Sequence, residues 1–169
     1  MKNKWHGILK IYEISHVSKK GKILWSEKNL KNLLHTDGEQ FILGALFSGI
    51  AVPSYYYFGL DNRATIAAAD TMTTLITEPS AYGYLRKAIS STIEFVLTES
   101  SGIVTAQSPI IIFSATGGSW GPVRNLFLTN KSDNTGYLIS SVTLSSPVTV
   151  NNGESIYVRM ALSLKDCPT

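Results

Sequence analysis

Chemistry in a protein starts with histidines, acids, thiols and glycine-rich turns, and this chain has few of them. Its three histidines are His6, His16 and His35, all within the first 35 residues. A metal site or catalytic base needs histidine beside carboxylates or a nucleophile. A hairpin at the start of the chain could bring His6 and His16 together, but no acidic cluster follows either one, so solvent-facing strand histidines are the expectation. Asp61, Asp70 and Glu78 are separated by nine and eight residues and contain no Asp-x-Asp cluster, which is poor spacing for the six or more oxygens Ca²⁺ takes. Cys167 is the single cysteine, so no internal disulfide can form. Gly117-Gly118-Ser119-Trp120-Gly121-Pro122 lacks the lysine and following helix of a phosphate loop. It reads instead as a tight connection with Trp120 anchored in the body. Asn130-Lys131-Ser132 matches a glycosylation acceptor, which carries meaning only in a secreted chain. No nucleophile elbow and no Cys/His zinc spacing occurs. The sequence therefore predicts no catalytic residues, no metal, no cofactor and no enzyme.

The elements that carry these residues are mostly strands. Residues 5–17 and 22–29 are rich in Ile, Trp and Tyr, and Ser18-Lys19-Lys20-Gly21 joins them as a turn, which predicts an N-terminal hairpin. One helix is expected over 36–48. Thr36 and Glu39 fit a capping box, Phe41, Ile42, Ala45 and Leu46 share a face meant for a sheet, and Gly49 ends it. Residues 54–60 form a strand with aromatics on both sides. Residues 61–83, with Glu78-Pro79 and Gly83 as breakers, make a long excursion, and such segments usually carry contacts. From residue 84 the pattern is almost all strand: 84–90, 92–98, 103–114, 123–129, 137–144 and 155–164. In the last of these Ile156, Val158, Met160, Leu162 and Leu164 point one way. The fold class is mainly β, an antiparallel, jelly-roll-like sandwich with one short helix and an N-terminal hairpin arm. The arm spans 1–34 and the body 35–169, within a single domain.

Composition narrows the work this fold could do. Charged residues make up 16% of the chain and hydrophobic ones 44%, against about 25% charged in an average protein. Such a surface is polar through hydroxyls and amides and suits burial against neighbours. Residues 1–31 hold eight lysines and two glutamates, whereas the whole chain has a net charge of only +3. This basic arm either grips an acidic partner or guards a sheet edge with lysines. Its scattered lysines, without stacking aromatics, argue against nucleic acid. No signal peptide is visible and no apolar run is long enough to span a membrane, which points to assembly in cytoplasm.

Three stretches resemble small virion proteins of tailed bacteriophages. Residues 55–90 (YYYFGLDNRATIAAADTMTTLITEPSAYGYLRKAIS) combine a Gly-Leu-Asp strand end, an Ala/Asp-rich loop, a Glu-Pro pair and a Gly-Tyr-x-Arg strand. Residues 112–128 (IFSATGGSWGPVRNLFL) supply an apolar strand and a Gly-Ser-Trp-Gly turn, and residues 144–164 (LSSPVTVNNGESIYVRMALSL) a closing hairpin with Asn-Asn-Gly. The run Asn32-Leu33-Leu34-His35-Thr36-Asp37-Gly38-Glu39 is similar too. The resemblance implies a non-enzymatic structural protein of the virion that decorates or joins the capsid, neck or tail. Its implied partners are other virion proteins and copies of itself, a trimer by analogy. The alternative is a receptor- or glycan-binding module, with Trp5, Trp25 and Trp120 able to stack on sugar rings. The residues expected to make protein contacts are Tyr55, Tyr56, Tyr57, Trp120, Lys19 and Lys20. Tyr55 to Phe58 cannot all enter one core, because successive strand residues face opposite ways.

Overall fold

The computed structural model describes residues 6–74, 77–100 and 103–165. Trp5 and Cys167 lie outside them. Two antiparallel sheets form a sandwich, as the strand-rich pattern predicts. The opening hairpin is β1 (His6–Val17) and β2 (Ile23–Lys31), followed by the short β3 (Leu33–Leu34) and helix α1 (Thr36–Phe47). Next come β4 (Tyr55–Asp61), β5 (Lys87–Ser90), β6 (Val96–Ser100), β7 (Ile103–Gln107) and β8 (Ile111–Ser114). The long strands β9 (Trp120–Thr129), β10 (Leu138–Val150) and β11 (Ser155–Lys165) close the chain.

The first sheet runs β2-β1-β11-β7-β6, with β8 also paired to β11; the second runs β3-β10-β9-β4-β5. The hairpin is thus built into the first sheet: β1 pairs with β11 from His6↔Lys165 to Val17↔Ser155. Ile14 and Val17 enter the core from it. His6 and His16 lie at opposite ends of β1, so the hairpin does not bring them together. Ten residues of strand keep them roughly 33 Å apart.

Alternation builds the core between the sheets. Phe58 and Leu60 of β4, Leu126 and Leu128 of β9, and Ile156, Val158 and Met160 of β11 all pack there. The predicted strand over 103–114 is broken in two by Ser108-Pro109. Proline cannot donate to a ladder, and at the break the Ser108 hydroxyl, in place of a backbone carbonyl, accepts the Met160 amide at 2.9 Å. The strand expected at 84–90 shortens to β5 because Tyr84 and Arg86 are held by side-chain bonds instead. The segment expected as a strand from 92 begins with a turn over residues 91–94.

Helix α1 appears where it was expected but starts differently. Thr36 is its first residue, His35 is the N-cap, and no side chain caps it. The capping box fails because the Thr36 amide already bonds the Ala68 carbonyl at 3.0 Å. Gly38 lets the helix lie against the backbone of Ile139 on β10, where a Cβ would collide. Phe41 points inward, edge-on to Tyr56 at 6.3 Å. Leu46, expected on the packed face, is exposed. The helix ends at Ser48, with Gly49 in the left-handed region at φ 71.

Candidate contact surfaces

The excursion 61–86 is the most elaborated feature outside the two-sheet core. It lies over the outer face of the second sheet, where Met72 packs with Phe127 and Leu138. Two arginines pin it. Arg63 Nε bonds the buried Asp61 at 3.3 Å, and Arg63 Nη1 lies 3.4 Å from Asp70. Asp61 also accepts from Asn125 Nδ2 at 2.9 Å and from the Thr77 hydroxyl at 2.9 Å. Asp61 and Asn125 face one another on β4 and β9, and both are fully buried. Every oxygen of that carboxylate has a donor, so burial is compensated.

The second clamp is Arg86. Its guanidinium grips both oxygens of Glu78, donates to the Asp133 carbonyl at 2.7 Å, and lies 5.3 Å above the Phe127 ring. The Tyr84 hydroxyl donates to Glu78 at 2.6 Å and accepts the Leu60 amide at 2.8 Å. Burial, and then the Glu78 charge, push the Tyr84 phenol well above its usual range. The three acids of the excursion are therefore arginine and tyrosine partners. Sequence spacing could not reveal the Asp61 site, because Asn125 stands 64 residues from it in the chain.

Two of the histidines are interior rather than solvent-facing. His35 is fully buried and its Nε2 bonds the Ser141 hydroxyl at 2.7 Å. Burial holds its pKa below the ordinary 6.5 despite the nearby Ala67 and Ala68 carbonyls and Asp70. His16 is buried at the end of β1, where its Nε2 meets Glu154 at 2.8 Å. Glu154 is also held by the Asn151 amide at 2.9 Å. Burial works against its carboxylate, yet these bonds win and keep its pKa below the usual value. Both histidines tie chain segments together. Among the described residues no group of three or more His, Cys, Asp or Glu is placed to hold a metal ion.

The expected contact residues divide by face. Tyr56 points inward against Phe41 and Phe95. Trp120 is buried, edge-on to Tyr84 at 6.0 Å, and its indole N–H donates to the Tyr82 carbonyl at 3.3 Å. It is anchored as its turn predicts, and that anchoring removes it from the surface. Tyr55 is exposed and Tyr57 half-buried beside it. They border a shallow cleft of about 230 Å³ with Asn130, Lys131 and Asp133. Lys19 and Lys20 are exposed in the β1–β2 turn, where the Lys19 stem rests near Gly153.

Other exposed side chains are large and apolar. Leu43, Leu46 and Phe47 line the outside of α1, with Phe47 80% exposed, and Val52, Ile93, Leu97 and Val104 are also open to solvent. Sequence periodicity did not single these out, because the apolar stripe of α1 reads as a face for this chain's own sheet.

A motif set made of turns, pins and packing reports ancestry more than reaction, and comparison with known families agrees. The family model described as "Podophage GP4 fiber I protein gp80" matches residues 34–163. The chain belongs to this family. As a member of the fiber I family it is a structural component of a phage virion, and the virion is where it resides. The family match starts at Leu34, so the basic hairpin lies outside it. No curated protein and no solved structure matches the chain.

Proposed function

We propose that this fiber I family member is a non-enzymatic contact subunit, joining copies of itself and neighbouring virion proteins. The exposed apolar cluster on and around α1 carries this reading. Phe47, Leu46, Leu97 and Ile93 are each at least 66% exposed, and large apolar side chains left open to water in such number favour a protein contact. Contact subunits place aromatic and aliphatic anchors where a partner will desolvate them. Light scattering on the purified chain, together with capture of dissociated virion proteins, tests it. Self-association or a stable complex is expected. A chain that stays monomeric at high concentration and retains no virion protein contradicts it.

The Tyr55–Tyr57 cleft favours a second reading, a glycan-binding module. Two aromatic rings on one strand face stand beside an amide, an ammonium and a carboxylate, the groups that stack on and hydrogen-bond to sugars. Asp133 is held ionised by hydrogen bonds from Thr135. A glycan array should give a signal that Tyr55→Ala abolishes. A blank array removes this reading and leaves the first intact.

A further inference from the structure

The sandwich has two unlike ends. Along β11, Ser155 pairs with Val17 beside the β1–β2 turn, while Leu162 pairs with Ala106 of β7. Seven residues of strand put these points about 23 Å apart. At the first end, Lys19, Lys20 and Lys22 are exposed together with Ile23 and Leu24.

The second end is apolar with an acidic rim. On β11 the core-facing column runs Ile156, Val158, Met160 and then Leu162. The first three are 1% exposed and Leu162 is 36% exposed. The same row continues through Ala106 to Leu97 on β6, which is 71% exposed. The first sheet therefore overhangs, and its inward face outruns the second sheet. Helix α1 is at this end too: Phe41 meets Tyr56, and Tyr56 meets Phe95 at the start of β6, each at 6.3 Å. The exposed Val52 and Ile93 flank the point where the Ser91 hydroxyl donates to the Pro53 carbonyl at 2.6 Å. The segments building this end, 36–54, 91–100 and 103–107, hold Asp37, Glu39, Glu94 and Glu99 and no lysine or arginine. Lys31 and its strand partner Lys10 lie at this end of the same sheet, with β11 and β7 between them and β6, and Lys131 stands beside Pro53, Ser54 and Tyr55.

An α-helix with no polar residue in its last two turns is normally covered on both sides, and here one side is open. We infer that a second copy of this chain covers it, head to tail, inserting its lysine-bearing β1–β2 turn into the acidic-rimmed apolar end. Charge complementarity selects this occupant. Opposite charges on opposite ends favour a repeating contact and disfavour pairing of like ends. Such a contact is heterologous, so it generates a ring or a filament rather than a closed pair. This inference rests on the self-association reading above and specifies its surfaces.

Sedimentation velocity with charge-swapped variants tests it. Lys19→Glu with Lys20→Glu, and separately Glu39→Lys with Glu99→Lys, should each weaken self-association about tenfold or more at low salt. Mixing the two variants should restore it, because each then offers a complementary end; misfolded variants could not be rescued in this way. Phe47→Asp should weaken assembly without rescue by either variant. Salt should weaken the wild-type contact by screening the charged rim. If the wild type assembles but the charge variants assemble equally well, or their mixture fails to recover, the head-to-tail contact is wrong while self-association stands. If the wild type is monomeric throughout and binds no virion protein, both fall.

Discussion

At the residue scale, the excursion depends on Arg86. Its side chain is 8% exposed and its partner Glu78 is 18% exposed, so this pair is far from a surface ion pair of negligible worth. Arg86→Ala strands Glu78 and uncovers the Phe127 ring, and should destabilise the fold by about 3 kcal/mol. Arg86→Lys should recover only part of that, because an ammonium cannot span both carboxylate oxygens. Urea midpoints measure both. His35 sets a pH limit. The unfolded imidazole binds its proton near pH 6.5, while burial delays protonation of the folded one to lower pH. Below 6.5 the unfolded chain holds more protons, so stability falls as pH falls toward the folded value. Glu154 adds a loss at lower pH: its folded pKa lies under the ordinary 4.5, so its contribution is full above 4.5 and disappears as pH drops through the folded value. Replacing His35 with Gln should flatten the upper part of the stability profile and leave the lower part. These roles were illegible in the sequence because their partners are distant: Ser141 is 106 residues from His35 and Glu154 is 138 from His16.

At the element scale, strand periodicity was readable because it is local. Alternation in β11 and the turn residues at Asn151-Asn152-Gly153 identify the closing hairpin without any partner. Helix α1 was readable in place but not in detail. Its N-terminus is satisfied by the excursion backbone at Ala68, a contact no capping rule contains. Thr36→Ala should therefore change stability by less than about 0.5 kcal/mol, where a true N-cap loss costs about 1 kcal/mol. Gly38→Ala, which looks helix-favouring on propensity, should instead push α1 off Ile139 and cost about 1–3 kcal/mol. Thermal denaturation of the two variants separates these outcomes. The split of residues 103–114 into β7 and β8 has a similar cause, since only the pairing with Met160 shows how Ser108 bridges the gap left by Pro109.

At the scale of the whole molecule, composition suggests a surface suited to burial against neighbours, and the structure leaves large apolar side chains exposed on α1 and β6, including Phe47 and Leu97. By sequence alone the N-terminal lysines fit either a grip on an acidic partner or a guard on a sheet edge. The head-to-tail contact proposed above would give the grip a target on another copy. Zero-length carbodiimide cross-linking of intact virions, read by mass spectrometry, tests this most directly, because it joins lysine to carboxylate only in direct contact. The account predicts links from Lys19 or Lys20 to Glu39 or Glu99, which the length of the sandwich forbids within one chain, or links to other virion proteins. Virions that yield only intrachain links for this protein would contradict a contact role.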